Sequence, residues 1–358
     1  MKNKLQSFET YRGFAALMIA AIHFNVNSPL HNHPLATGLF VHFFFTLSGF
    51  VMYLNYHNKF FDFKSVKTFL KKRFLRLYPL HFLFLVIFLF IELSKYLVEV
   101  KFGLVANNQA FSINNAKTFL GNIFLLQTFF EFNTFNTPSW SISAEYYTYL
   151  IFALILFLLN KNNLLILISL ICILIFRIDS GISLGIENTY LSFLDCVFCF
   201  FIGVFSCKIY FRYSRHALFV RFYSTITFLL IIISALLIIN LTGKEKFVIP
   251  FVFGLLLIFS ANLKNENFLG KIICNKFFVY LGSISYSIYM CHLFVFWCLT
   301  QFLRFIVNFK TVVDENGITK LDLSISEASL MIIISYLFTI ILSHILYNNF
   351  EKRFYKPS

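Results

Sequence analysis

Arg12 and His23 stand eleven residues apart in the stretch Thr10-Tyr-Arg-Gly-Phe-Ala-Ala-Leu-Met-Ile-Ala-Ala-Ile-His23, which is otherwise almost wholly apolar. Read as a helix rising about 1.5 Å per residue, it separates the cation from the imidazole by roughly 16 Å along the axis. Ionisable groups on an apolar helix are costly to bury and usually functional. Histidine titrates near neutral pH, so His23 is a candidate base for taking a proton from a hydroxyl. The plainer alternative is a structural histidine hydrogen-bonded to a neighbouring helix. Arg12 suits either an anionic ligand or a lipid phosphate reached by snorkelling.

Two further blocks carry chemistry. Arg73 and Arg76 are three residues apart in Arg73-Phe-Leu-Arg76-Leu-Tyr78-Pro79 and share one helix face. Phe63, Val66, Leu70, Phe74 and Leu77 recur at helical spacing among Lys64, Lys67, Lys71 and Lys72, so residues about 59–78 read as an amphipathic helix on a membrane surface. Attraction to anionic lipid explains the lysines but does not specifically require the two arginines before Tyr78-Pro79. Glu145 follows Ser139-Trp140-Ser-Ile-Ser143-Ala. It reads either as a first-turn carboxylate favourable to a helix N-terminus capped by Ser141 or Ser143, or as the partner that orients an imidazole.

Other candidates are weaker. Ser48-Gly49 reads as a close helix approach, His292 as a structural or pocket-lining group, and Asp195 as an intramembrane acid without an assigned purpose. His42, His81 and His344 have no supporting motif. His31 and His33 lack further ligands, so no metal site is expected. The seven cysteines are odd in number and mostly lie in apolar runs, and Cys196-x-x-Cys199 has no second pair to complete a zinc site.

The elements that must hold these residues are membrane helices. The 358-residue chain is 59% hydrophobic and 13% charged, with a mean hydropathy of +0.76, against roughly half apolar and a quarter charged for a soluble domain. No small-residue cleavage site follows the first apolar run, so a cleavable leader is not expected. Ten runs suit a span: about 9–25, 36–56, 78–98, 141–160, 163–178, 190–211, 218–241, 247–263, 283–305 and 326–348. With the N-terminus inside, 21 of the 30 Lys and Arg residues fall on inner segments, which predicts cytoplasmic termini. The net charge of +14 is therefore read as topology, not as a nucleic-acid footprint. The expected fold is all-α: one polytopic transmembrane helix bundle over residues 1–358, with a long outer loop at about 99–140. Within that loop the patch from Phe119 to Phe130 reads as a re-entrant or interfacial helix.

Six blocks, in order, resemble the acyltransferase-3 family of integral membrane acyltransferases. They are Thr10-Tyr-Arg12-Gly13 with His23, Phe43-Phe-Phe-Thr-Leu-Ser48-Gly49-Phe50, Arg73-Phe-Leu-Arg76-Leu-Tyr78-Pro79, Ser139-Trp140-Ser-Ile-Ser143-Ala-Glu145, Leu281-Gly282-Ser-Ile-Ser285-Tyr286-Ser-Ile-Tyr289 with His292, and Phe350-Glu351-Lys-Arg-Phe. The resemblance implies a bacterial inner-membrane acyltransferase. It would move an acyl group, acetyl above all, from cytoplasmic acetyl-coenzyme A to a hydroxyl of a lipid-linked or exported glycan, such as lipopolysaccharide O-antigen or an exopolysaccharide. It further implies His23 as the catalytic residue with Glu145 beside it. Arg12, Arg73 and Arg76 would contact the acyl donor. No metal cofactor is implied.

The chain departs from the family where many members carry an arginine near the sixth span: Tyr190-Leu-Ser-Phe-Leu-Asp195 has none. Two other readings stand beside the glycan one. The scaffold suits acylation of a small molecule or lipid, and intramembrane His, Arg and Glu also serve transporters. A transporter would show inverted repeats and broken helices, and no clear pair is visible.

Overall fold

The computed structural model describes residues 5–24, 26–28, 37–59, 62–104, 107–130, 133–158, 190–241, 244–314 and 317–354. The run expected at 163–178, together with His31, His33 and Cys172, lies outside them. The fold is nearly all-α, with one short antiparallel hairpin of β1 (Thr311–Val313) and β2 (Thr319–Leu321).

The helices are α1 (Gln6–Ile22), α2 (Phe40–Tyr56), α3 (Phe63–Phe102), α4 (Ala116–Ile123), α5 (Trp140–Leu158), α6 (Tyr190–Tyr213), α7 (Ala217–Asn240), α8 (Ile249–Ser260), α9 (Phe268–Ile273), α10 (Lys276–Ser283), α11 (Ser285–Phe305) and α12 (Ile325–Leu346). A π-turn at Tyr347–Glu351 leads into the short α13 (Lys352–Phe354). Among the described residues six helices are long and apolar enough to cross a membrane: α3, α5, α6, α7, α11 and α12. α2 and α8 are apolar but shorter, and α1 has 17 residues. Each of the nine expected spans within the described residues is thus helical, and six of them meet the length of a crossing.

The amphipathic surface helix expected at 59–78 is not a separate element. It is the first half of α3, whose 40 residues run unbroken through Pro79. Asp62 caps its start by accepting from the Ser65 amide at 2.7 Å, and Gly103, at φ +65°, ends it in the left-handed region. At about 1.5 Å per residue it spans roughly 60 Å, twice a hydrocarbon core, so one end stands well beyond the bilayer. Its faces sort the cations: Lys64, Lys67, Lys71 and Lys72 are exposed, whereas Arg73 and Arg76 are half-buried.

Glycines set the helix crossings. A Cβ on Gly49 of α2 would lie 1.8 Å from the Phe200 carbonyl oxygen, and one on Gly203 of α6 would lie 1.9 Å from that of Thr46. Only hydrogen at both positions lets these backbones touch, the small-residue packing that membrane helices use. The same holds between α1 and α10, where a Cβ on Gly282 would come within 1.9 Å of the Glu9 carbonyl oxygen. This crossing fixes the rotation of α1, and with it where Glu9 and Arg12 point.

The segment between α3 and α5 is packed, not looped out. Asn122, Gln127 and Thr128 are fully buried. His81 of α3 meets the Asn122 carbonyl at 3.0 Å, and Gln127 donates to the Ser139 carbonyl. This segment is the lid on the start of α5.

Candidate active site

α5 brings two faces of the Trp140-Ser-Ile-Ser143-Ala-Glu145 block to different work. Ser143 donates to the Leu125 carbonyl at 2.5 Å and lies 2.7 Å from the Thr128 hydroxyl, tying α5 to the packed segment. Ser141, Glu145 and Tyr149 stand at i, i+4, i+8, so they form one stripe, and that stripe lines a cavity of about 180 Å³. Glu145 Oε1 accepts from Ser48 of α2 at 2.8 Å and from the Tyr149 hydroxyl at 2.5 Å. Neither Ser141 nor Ser143 caps the helix: a 3-10 turn at Thr137–Ser139 leads into it, and Ser141 donates to the Pro138 carbonyl.

Arg12, Arg73 and Arg76 all line this cavity. Their partners differ. Arg12 lies 3.4 Å from Glu9, one turn back on α1. Arg76 is ion-paired with buried Glu351 from the π-turn, whose other oxygen accepts from Ser287 at 2.7 Å. The Arg76 guanidinium also stands over the Tyr286 ring, 5.5 Å from its centroid. Arg73 packs against Phe69 and Tyr149, with centroid distances of 5.8 and 5.9 Å, and its Nε is buried without a hydrogen-bond partner. Among the described residues no carboxylate lies within ion-pair distance of Arg73. A half-buried guanidinium with an enclosed, unpartnered Nε favours an anion beside it, so this end of the cavity suits one.

His23 sits elsewhere. It is the residue that ends α1, its amide bonded to the Ala20 carbonyl. That leaves the Ile19 carbonyl for its side chain, at 3.0 Å from Nδ1. The same Nδ1 lies 3.2 Å from Nε2 of His292, whose own Nδ1 faces the Ile288 carbonyl at 3.1 Å. A carbonyl oxygen only accepts, so these partners assign the proton of each neutral ring to Nδ1. His292 Nε2 then accepts from His23 Nδ1–H, and His23 Nε2 is left holding a lone pair.

His23 lines a second, smaller cavity of about 40 Å³ with His42, Asp195, Ser192 and Gly38. Val41 and Tyr289 line both cavities and form the partition between them. The structure thus gathers Arg12, Arg73, Arg76 and Glu145 on one side of this partition and His23 on the other. It does not join Glu145 to His23: the carboxylate is held by Ser48 and Tyr149, because its α5 stripe faces α2 and α3. The side-chain partner of His23 is His292.

Several site residues are not evident from sequence. His292 carries a motif but no stated role, and Ser48, read as packing, holds Glu145 while Gly49 does the packing. Glu351 lies in the closing motif, and only the π-turn shows that it reaches Arg76. His42 and Asp195, 3.8 Å apart between Nε2 and Oδ2, come from different helices and share no sequence signal. Among the described residues no three His, Cys, Asp or Glu side chains group to hold a metal ion.

A bundle of apolar helices enclosing a cation-lined cavity, with a histidine of fixed tautomer across a thin partition, defines a membrane protein built around a buried polar reaction path. Comparison with known proteins gives the family. The Acyl_transf_3 model, an acyltransferase domain, matches residues 5–348, and the chain belongs to that family. It is also similar to Acyltransferase MdmB of Streptomyces mycarofaciens, 31% identical over 164 residues. The aligned part spans 42% of this chain and 39% of that protein. No solved structure matches the chain. The match to the acyltransferase domain thus runs over nearly the whole chain.

Proposed function

We propose that the protein moves an acyl group, acetyl above all, from acyl-coenzyme A to a hydroxyl of a lipid-linked or exported glycan at the bacterial inner membrane. The observation that carries this reading is Arg73, a half-buried cation with an enclosed, unpartnered Nε and no carboxylate partner among the described residues, in the larger cavity, set across the Val41–Tyr289 partition from His23, whose Nε2 keeps its lone pair. Guanidinium groups bind phosphate bidentately, so Arg73, helped by Arg76 and Arg12, suits the anionic end of the donor. With the basic end of the bundle in the cytoplasm, as the charge bias implies, the donor enters from inside and the acceptor from outside.

In the transfer, His23 Nε2 takes the proton of the acceptor hydroxyl as its oxygen forms a bond to the acyl carbon. The carbon–sulfur bond breaks, and the proton passes from Nε2 to the departing thiolate. Acyl ester and free thiol result, with no oxidant or metal required. His292 holds the ring so that Nε2 is the reacting nitrogen. Glu145, fixed by Ser48 and Tyr149, supplies negative charge within the arginine cavity.

Equilibrium binding of labelled acetyl-coenzyme A to protein in lipid nanodiscs tests the donor half. Binding is expected in the native chain and at least a tenfold loss in Arg73→Ala, since a charged hydrogen bond of this kind contributes about 1.5–3 kcal/mol. Absence of binding by the native chain rules the donor out. Mass spectrometry of surface polysaccharide with and without the gene tests the glycan acceptor, and unchanged O-acetylation points to a small-molecule or lipid acceptor instead.

A further inference from the structure

The smaller cavity has contents that acyl-donor binding does not explain. His42 from α2 and Asp195 from α6 face each other there at 3.8 Å, an ion-pair distance but too long for a hydrogen bond. His42 is buried, and its Nδ1 has no hydrogen-bond partner. Among the described residues no lysine or arginine lines this cavity, so these walls do not suit a phosphate or carboxylate. Its size is informative too. One water needs roughly 10–15 Å³ of such space, so about 40 Å³ takes some three water-sized groups. That is a fragment of an acceptor, not a sugar ring.

Access is provided on one side. Gly38 lines the cavity, and among the described residues a Cβ there would meet only Ile22 Cδ1, at 3.9 Å. Nothing else among the described residues crowds the Gly38 edge, and Val41 and Tyr289 form the wall shared with the donor cavity. Tyr289 is fixed in that wall by its hydroxyl, which donates to the Pro138 carbonyl at 3.0 Å and lies 2.7 Å from Ser141 Oγ.

We propose that this cavity is the acceptor subsite and takes a vicinal diol: one hydroxyl at His23 Nε2, and its neighbour between Asp195 and His42. This rests on the reading of His23 as the base. The carboxylate accepts from the second hydroxyl, and the imidazole edge completes its hydrogen bonding. The diol is thereby held with only one oxygen directed at the partition, which makes the pair a determinant of which hydroxyl is acylated.

The test uses the full-length protein in nanodiscs, acetyl-coenzyme A as donor, and two surrogate acceptors at equal concentration, propane-1,2-diol and propan-1-ol. The native chain should acetylate the diol with a kcat/KM about tenfold or more above that for the alcohol, because a site built for a hydroxyl is left with unpaired groups by an analogue lacking it. Asp195→Ala, which removes the accepting oxygens, should bring the ratio to about one, chiefly by raising KM for the diol. His42→Gln, which alters the pair from the other helix, should lower the ratio in the same direction. Equal use of the two acceptors by the native chain overturns the proposal, as does use of neither, or a ratio that survives in both variants. His23→Ala separates the two readings. Loss of all transfer there, with an unchanged ratio in Asp195→Ala, removes the subsite alone, whereas retained transfer removes the base and the subsite together.

Discussion

His23 and His292 meet at 3.2 Å, Nδ1 to Nε2, bridging α1 and α11 across 269 positions of sequence, with ring centroids 5.0 Å apart. Each ring is also held by the carbonyl one turn back in its own helix. The result is a short relay whose direction is set by two backbone oxygens, and whose free end is the nitrogen that a base needs.

His292→Ala should therefore act on turnover and not on donor affinity. A fall in kcat of about ten- to a hundredfold is expected, the range typical for losing a group that orients a reacting one. His292→Gln, whose amide oxygen can still accept from His23 Nδ1–H, should recover part of it. Steady-state kinetics checks this, and kcat equal to that of the native chain in His292→Ala contradicts the relay.

Arg76 and Glu351 are a buried pair, so removing either alone leaves the other uncompensated. Arg76→Ala or Glu351→Ala should each destabilise the fold by about 3–5 kcal/mol. The double replacement Arg76→Met with Glu351→Leu should restore most of the loss, read as unfolding temperature in detergent. Additive losses in the double variant would show that the pair is not coupled.

The crossing of α1 on α10 should tolerate no side chain at Gly282. Gly282→Ala places its Cβ 1.9 Å from the Glu9 carbonyl oxygen, so α1 must shift. Unfolding temperature and donor affinity should fall together, since Glu9 and Arg12 ride on that helix. Gly38→Ala, with nothing nearer than 3.9 Å, should leave the unfolding temperature unchanged.

Val41 should govern passage between the cavities. Val41→Phe is expected to leave donor binding measurable while cutting transfer to any acceptor by more than about a hundredfold, because misplacing a reacting group by about 1 Å already costs that much. Transfer at the native rate in this variant would show that the acyl group takes another route.

Much of this was legible in the sequence, for physical reasons. Long apolar runs and the basic-residue bias announce membrane helices, since a helix satisfies its backbone groups within one continuous apolar segment in lipid. Arg73 and Arg76 could be told from the lysines around them by chemistry alone, and α3 turns the two arginines inward while leaving the lysines exposed. Other features were not legible. The unbroken course of α3 through Pro79 depends on packing that periodicity does not report. The partner of Glu145 depends on the rotation of α5, which the sequence pattern does not report. The resemblance implies His23, whereas the i, i+4 stripe selects Ser48 and Tyr149. The His23–His292 and His42–Asp195 contacts join distant helices, and only the glycine-set crossings bring them together.

His23→Ala, measured for transfer of labelled acetyl from acetyl-coenzyme A beside its binding of that donor, tests the central claim most directly. Donor binding within about twofold of the native chain, with transfer reduced by at least a hundredfold as for loss of a general base, is the predicted result. Transfer at the native rate would contradict the assignment of His23 as the base.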